Sequence, residues 1–176
     1  MAELMTDQVA SSPIFDGLAA EDRKELVDAA TRVEIPAGEA VFLQGEANDA
    51  FLVVVAGSIE VSVRGTGGQE RTLGTLGSGA VVGETSMLVG GTHSATAYAV
   101  DRCVVLRFSA GRFQAMLESG SLPAYRVVLN LARVLATRLR LAEARLAEMS
   151  EAPGGSVVAE DDLDRLHRIF FTDWAK

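Results

Sequence analysis

Chemistry-bearing residues are scarce in this chain: 176 residues contain one cysteine, Cys103, and two histidines, His93 and His167. A single thiol forms no internal disulfide and cannot by itself hold an iron–sulfur cluster. Its alternating surroundings, Arg102 to Phe108, fit a small core residue instead. Basic charge is also short, since 16 Lys and Arg stand against 24 Asp and Glu for a net charge of −8. That balance opposes attraction to nucleic acid or anionic lipid. No apolar run is long enough for a transmembrane helix, and Met1 to Asp7 lacks the basic start and apolar core of a signal peptide. The expectation is a cytoplasmic protein with neither nucleic acid nor membrane as partner. With 48% hydrophobic and 23% charged residues, the chain has the composition of a globular domain with a real core.

Residues 1–12 read as a flexible, polar lead-in. Ile14, Phe15 and Leu18 then open an apolar pattern continued by Leu26, Ala29 and Ala30, which predicts a short amphipathic helix with Glu21 and Asp22 in its first turn. From Val33 to Phe108 most of the 17 glycines punctuate short β-branched runs. The clearest run, Ser58 to Arg64, alternates strictly, with Ile59, Val61 and Val63 on one face. Gly65-Thr66-Gly67-Gly68 forms a hairpin tip leading to a partner strand near Arg71 to Leu76. About eight short strands at this spacing predict a mainly β antiparallel jelly roll with flanking helices. An enzymatic metal centre inside such a barrel needs several histidines and a carboxylate, so no metal and no catalytic residue is expected.

Ser109 caps a short helix, and beyond Gly120 and Pro123 a long helix runs to about Met149. Val128, Ala132, Leu135, Leu139, Ala142, Leu146 and Met149 alternate spacings of four and three, the seam of a coiled coil, which predicts a homodimer. Leu131, Val134 and Leu141 remain to face the barrel, and in a parallel pair Arg138 would meet Glu143 of the other chain. Residues 151–159 read as a linker. Residues 160–176 fit a short amphipathic tail helix with Leu163, Leu166, Phe170 and Trp174 on one face. Such a tail either packs on its own barrel or docks on an unknown protein partner.

The chemistry concentrates between Leu76 and Ala97. Gly83 lets the backbone approach a ligand, and the amides of Glu84, Thr85 and Ser86 open a helical turn whose free N–H groups favour a phosphate. Glu84 accepts hydrogen bonds, as a sugar hydroxyl would offer, and His93-Ser94 enters the next strand. The same residues also fit a Gly-rich turn carrying a solvated glutamate. The order of the motifs decides between the two.

Gly83-Glu84, an apolar turn, and then His93-Ser94-Ala95-Thr96 resemble the phosphate-binding cassette of cyclic nucleotide-binding domains, as found in the catabolite activator (Crp/Fnr-like) and protein kinase A regulatory families. Phe15-x-x-Leu18, Pro36-Ala37-Gly38-Glu39-x-Val41-Phe42-x-x-Gly45-Glu46 and Val53-x-x-x-Gly57-x-x-x-Val61 extend the resemblance over residues 13–150. It implies a regulatory domain with Glu84 on the ribose, the Thr85 and Ser86 amides and the Ser94 hydroxyl on the phosphate, and a long C-terminal dimer helix. Two departures stand out. The cassette arginine is His93, a loss of about 1.5–3 kcal/mol, or roughly ten- to a hundred-fold in affinity. The base-contacting positions are Ala142 and Glu143, so a purine edge is read differently or not at all. The alternative is a degenerate pocket in a dimeric scaffold or interaction protein. The lone cysteine removes the oxygen-sensing iron–sulfur branch of the superfamily, and the acidic 26 residues after Ser150 are too few for its helix-turn-helix domain.

Overall fold

The computed structural model describes residues 9–65 and 68–150, with the side chains of residues 141, 142 and 145–150 outside the description. The linker and tail, residues 151–176, and hairpin-tip residues 66 and 67 lie outside the described residues as well.

Eight strands form two four-stranded antiparallel sheets. β1 (Thr31–Ile35), β8 (Cys103–Ser109), β3 (Ala50–Ala56) and β6 (Val81–Val82) make one, in the order β1-β8-β3-β6. β2 (Ala40–Phe42), β7 (Thr96–Ala99), β4 (Ile59–Arg64) and β5 (Glu70–Leu76) make the other, in the order β2-β7-β4-β5. This is the jelly roll that the glycine-punctuated runs predict.

β3 explains how the layers hold together. Its run Phe51 to Val55 is apolar at every position and buried at every position, because the strand is covered on both faces. Leu52 and Val54 turn into the space between the sheets with Ile59, Val61, Leu73, Leu76 and Val105. Phe51, Val53 and Val55 turn outward beneath a helical layer. Phe51 stacks on Phe108 at 4.7 Å and meets the edge of Phe113 at 5.3 Å.

The helical layer comprises a 3-10 turn at Pro13–Phe15, α1 (Ala20–Ala29), α3 (Ala110–Glu118) and the long α4 (Leu122–Ser150), while α2 (Glu84–Val89) lies at the cradle. α1 carries Glu21 and Asp22 in its first turn as expected, and the Ser109 hydroxyl accepts from the Arg112 amide at the start of α3. Among the described residues, no helix is long and apolar enough to cross a membrane.

Two expectations need correction. The lead-in is not loose throughout: Val9 belongs to the core and Ser12 is buried, so ordered packing begins before residue 13. The predicted seam on α4 is inward at its first member, while the side chains of Ala142, Leu146 and Met149 lie outside the described residues. Val128 packs against the core with Leu131, whereas Ala132 and Leu139 face outward. The outward stripe is Leu122, Tyr125, Leu129, Ala132, Ala136, Leu139 and Glu143, again at spacings of three and four. Two apolar stripes compete on this helix, and the wider one is claimed by the barrel.

Candidate functional site

Gly83 is the pivot of the cradle. It caps α2 with φ at +79°, a left-handed conformation natural to glycine. A Cβ there would lie 3.0 Å from the Ala50 carbonyl oxygen and 3.4 Å from His93 Cε1. Asn48, which sequence reasoning missed, holds the same peptide. Its Nδ2 donates to the Gly83 carbonyl at 2.6 Å, and its Oδ1 accepts from the Ala50 amide at 2.9 Å.

Glu84 follows at the first position of α2 and is buried, with 4% of its surface exposed. Arg138, from the middle of α4, donates through Nη1 to Glu84 Oε1 at 2.7 Å. The Thr85 hydroxyl reaches the same oxygen at 3.4 Å. A carboxylate accepts about four hydrogen bonds, so capacity remains on the cavity side. Desolvating two charges is expensive, and only their mutual contact makes both tolerable in the interior. The expected contact of Arg138 with Glu143 of another chain is therefore replaced by an internal one: Arg138 is buried on the cassette glutamate while Glu143 is exposed. A signal for this existed. Ala124, Val127, Leu131, Val134 and Arg138 lie three and four apart, so a cation sits on the inward stripe of α4 and calls for a buried anion.

His93, Ser94 and Ala95 line the same cavity. His93 is buried, with its ring stacked on Phe42 at 3.9 Å and 6° between the planes. Its backbone is pinned to the 43–46 turn, donating to the Glu46 carbonyl at 2.8 Å and accepting from the Gly45 amide at 2.8 Å. Among the described residues, no hydrogen-bonding partner meets the imidazole nitrogens. Burial pushes the His93 pKa below the ordinary histidine value, against the opposing pull of the Glu46 and Asp49 carboxylates. The ring is thus neutral near pH 7.

Gly83, Glu84, Thr85, Ser86, His93 and Ser94, six of the eight predicted site residues, line one cavity of about 50 Å³. Glu143 is exposed on α4 and is not among the cavity-lining residues, and the side chain of Ala142 lies outside the described residues. A second, larger cavity of about 420 Å³ adjoins, lined by Glu34, Glu39, Glu46, Asp49 and Arg107 among others. Phe42 and His93 belong to both walls, so their stack is the partition. Among the described residues, no group of three or more His, Cys, Asp and Glu is placed to hold a metal ion.

Residues 32–119 match the family described as cyclic nucleotide-binding domain. A cyclic AMP receptor protein from Thermus thermophilus is 37% identical over 139 residues, covering 79% of this chain and 62% of the relative. A CRP-like cAMP-activated global transcriptional regulator from Mycobacterium tuberculosis is 29% identical over 154 residues, covering 85% of this chain and 66% of the relative. The crystal structure of Thermus thermophilus catabolite activator protein superposes with a TM-score of 0.71 at 37% identity, over 79% of this chain and 63% of that one. The chain thus spans about 62–66% of the length of these curated relatives. The matched region is a ligand-binding domain rather than a catalytic one. With its cassette glutamate buried at the head of α2, its jelly roll and these matches, the chain belongs to the cyclic nucleotide-binding domain family, within the Crp-like superfamily.

Proposed function

We propose that the cradle between Gly83 and Ser94 binds a 3′,5′-cyclic nucleotide or a similar phosphate-bearing effector, and that the domain passes this event on through protein–protein contacts. The observation that carries the reading is the Glu84–Arg138 pair. A buried acceptor held in one orientation beside free amides suits a ribose hydroxyl next to a cyclic phosphate. Thr85 and Ser86 supply amides, and the exposed Ser94 lines the same cavity. Because Arg138 belongs to α4, a ligand on Glu84 touches the helix that would carry the signal.

A second copy of the chain is the expected partner of α4. Its outward stripe leaves Leu122 at 79% and Leu139 at 55% exposure, a heptad-spaced apolar surface suited to a helix pair. In such a dimer, Ala142 and Glu143 are the residues proposed to reach the base. Light scattering at tens of micromolar tests the pairing: dimers are expected, and Leu129→Glu should give monomers. A monomeric native chain would contradict it.

The competing reading, a degenerate pocket in a dimeric scaffold, is favoured by one observation. Sites for small organic ligands run from about 300 Å³ upward, and the free cradle holds about 50 Å³. Binding therefore requires the wall to move. Calorimetric titration with cyclic AMP and cyclic GMP separates the readings: micromolar binding supports the effector site, and no heat with either supports the scaffold.

A further inference from the structure

We propose that His93 meets the ligand's phosphate as an imidazolium formed on binding, so that a phosphate anion and a proton enter the cradle together. This rests on the effector reading above and adds the chemistry by which the anion is held.

Three observations converge on His93. It is more than nine-tenths buried, and among the described residues no group hydrogen-bonds its ring nitrogens. It lines the same cavity as Thr85 and Ser86, whose amides would share a phosphate with it, and its Cε1 would lie 3.4 Å from a Cβ on neighbouring Gly83. And among the described residues that line the cavity, His93 is the only one with a basic side chain, while Arg138 pairs with Glu84 behind it. A phosphate diester carries one negative charge across the physiological pH range, so a neutral imidazole opposite it leaves that charge without a counter-ion.

The surroundings allow the change of state. On the far side of the ring stand Glu46 and Asp49, which favour the protonated form, with Glu34, Glu39 and the Asp49-bound Arg107 around the larger cavity. On the near side, Glu84 is already matched by Arg138. An incoming anion adds negative charge on the cradle side. The proton comes from the solvent and forms an N–H bond on the imidazole that then donates to a phosphate oxygen. Among the described residues the imidazole stacks on Phe42 alone, and a shift along that face would also move the partition between the two cavities.

The sign of the linkage follows. The free protein keeps His93 neutral at pH 7 and the complex protonates it, so affinity rises as pH falls, by at most about tenfold per pH unit. An arginine in its place would bind without a proton.

The test is calorimetric titration of the full chain with cyclic AMP and with cyclic GMP in phosphate-free buffers of different ionisation enthalpy. Near pH 7.5, uptake of about half to one proton per ligand is expected, with affinity falling by roughly three- to tenfold from about pH 7 to about pH 8. His93→Arg should abolish the uptake and tighten binding, and His93→Gln should abolish the uptake and weaken it. Circular dichroism confirms that both variants are folded. Binding with no proton uptake and a flat pH profile overturns the inference alone. Uptake that persists in His93→Gln does the same. Absence of binding for both nucleotides at every pH overturns it together with the effector reading.

Discussion

The two ends of the cradle are built on opposite principles. At the Glu84 end the carboxylate is matched by Arg138 at 2.7 Å, and Asn48 fastens the peptide of Gly83 at 2.6 Å. At the His93 end, among the described residues, the imidazole stacks on Phe42 with no hydrogen bond to its ring nitrogens, and Ser94 is exposed. One end is paired within the chain, and under the proposed function the other is completed by the ligand. Preorganised groups fix orientation at little entropic cost, while a group that must move or take up a proton sets how affinity responds to conditions. The paired end is also the one tied to α4, so under the proposed function sugar recognition and any response of the long helix share the Glu84–Arg138 ion pair.

Substitutions can break that contrast or sharpen it. The largest expected effect is at the paired end. Arg138→Met leaves Glu84 buried and uncompensated and should cost about 3–5 kcal/mol in urea unfolding. The double variant Arg138→Met with Glu84→Leu should recover most of it. A single variant that loses under 1 kcal/mol would show that the pair carries little weight.

Next is Gly83→Ala, which forces a side chain into the left-handed region 3.0 Å from a carbonyl oxygen. A loss of about 1–3 kcal/mol by thermal unfolding is expected, with effector binding abolished because α2 shifts. At the open end His93→Arg should leave stability within about 1 kcal/mol and tighten binding by roughly ten- to a hundred-fold, the inverse of the loss inferred for the natural histidine. An unchanged dissociation constant would mean that residue 93 does not face the phosphate. The smallest effect lies away from the cradle: Ser109→Ala removes the cap of α3 and should cost about 1 kcal/mol without changing affinity.

The legibility of the sequence divides along the same line. The strand at Ile59 to Arg64, the Ser109 cap and the glycine at the head of α2 are local patterns and stand where expected, although the strand's strict alternation fails at Ser62, which is buried. Six cradle residues are contiguous in two short stretches, so reading them needs no knowledge of the fold. The contacts that finish the site are long-range. Arg138 and Glu84 are 54 residues apart, and Asn48 is 35 residues from Gly83. Nothing local marks Asn48, whereas Arg138 announces itself only once the inward stripe of α4 is known. The same ignorance misplaced the first member of the predicted seam. With two apolar stripes on one helix, periodicity alone does not say which one the barrel covers, and Val128 went to the core while Leu129 stayed outside.

The most direct measurement sets a ribonucleotide against its deoxy analogue. A 3′,5′-cyclic ribonucleotide has one free sugar hydroxyl, at the 2′ position, and buried Glu84 is the acceptor proposed for it. Titration of the native chain with cyclic AMP and with 2′-deoxy cyclic AMP should show binding of the first and a loss of roughly tenfold or more for the second, since the analogue leaves the acceptor unpaired. Equal affinity for the two, or no affinity for either, would contradict a preformed sugar site at Glu84.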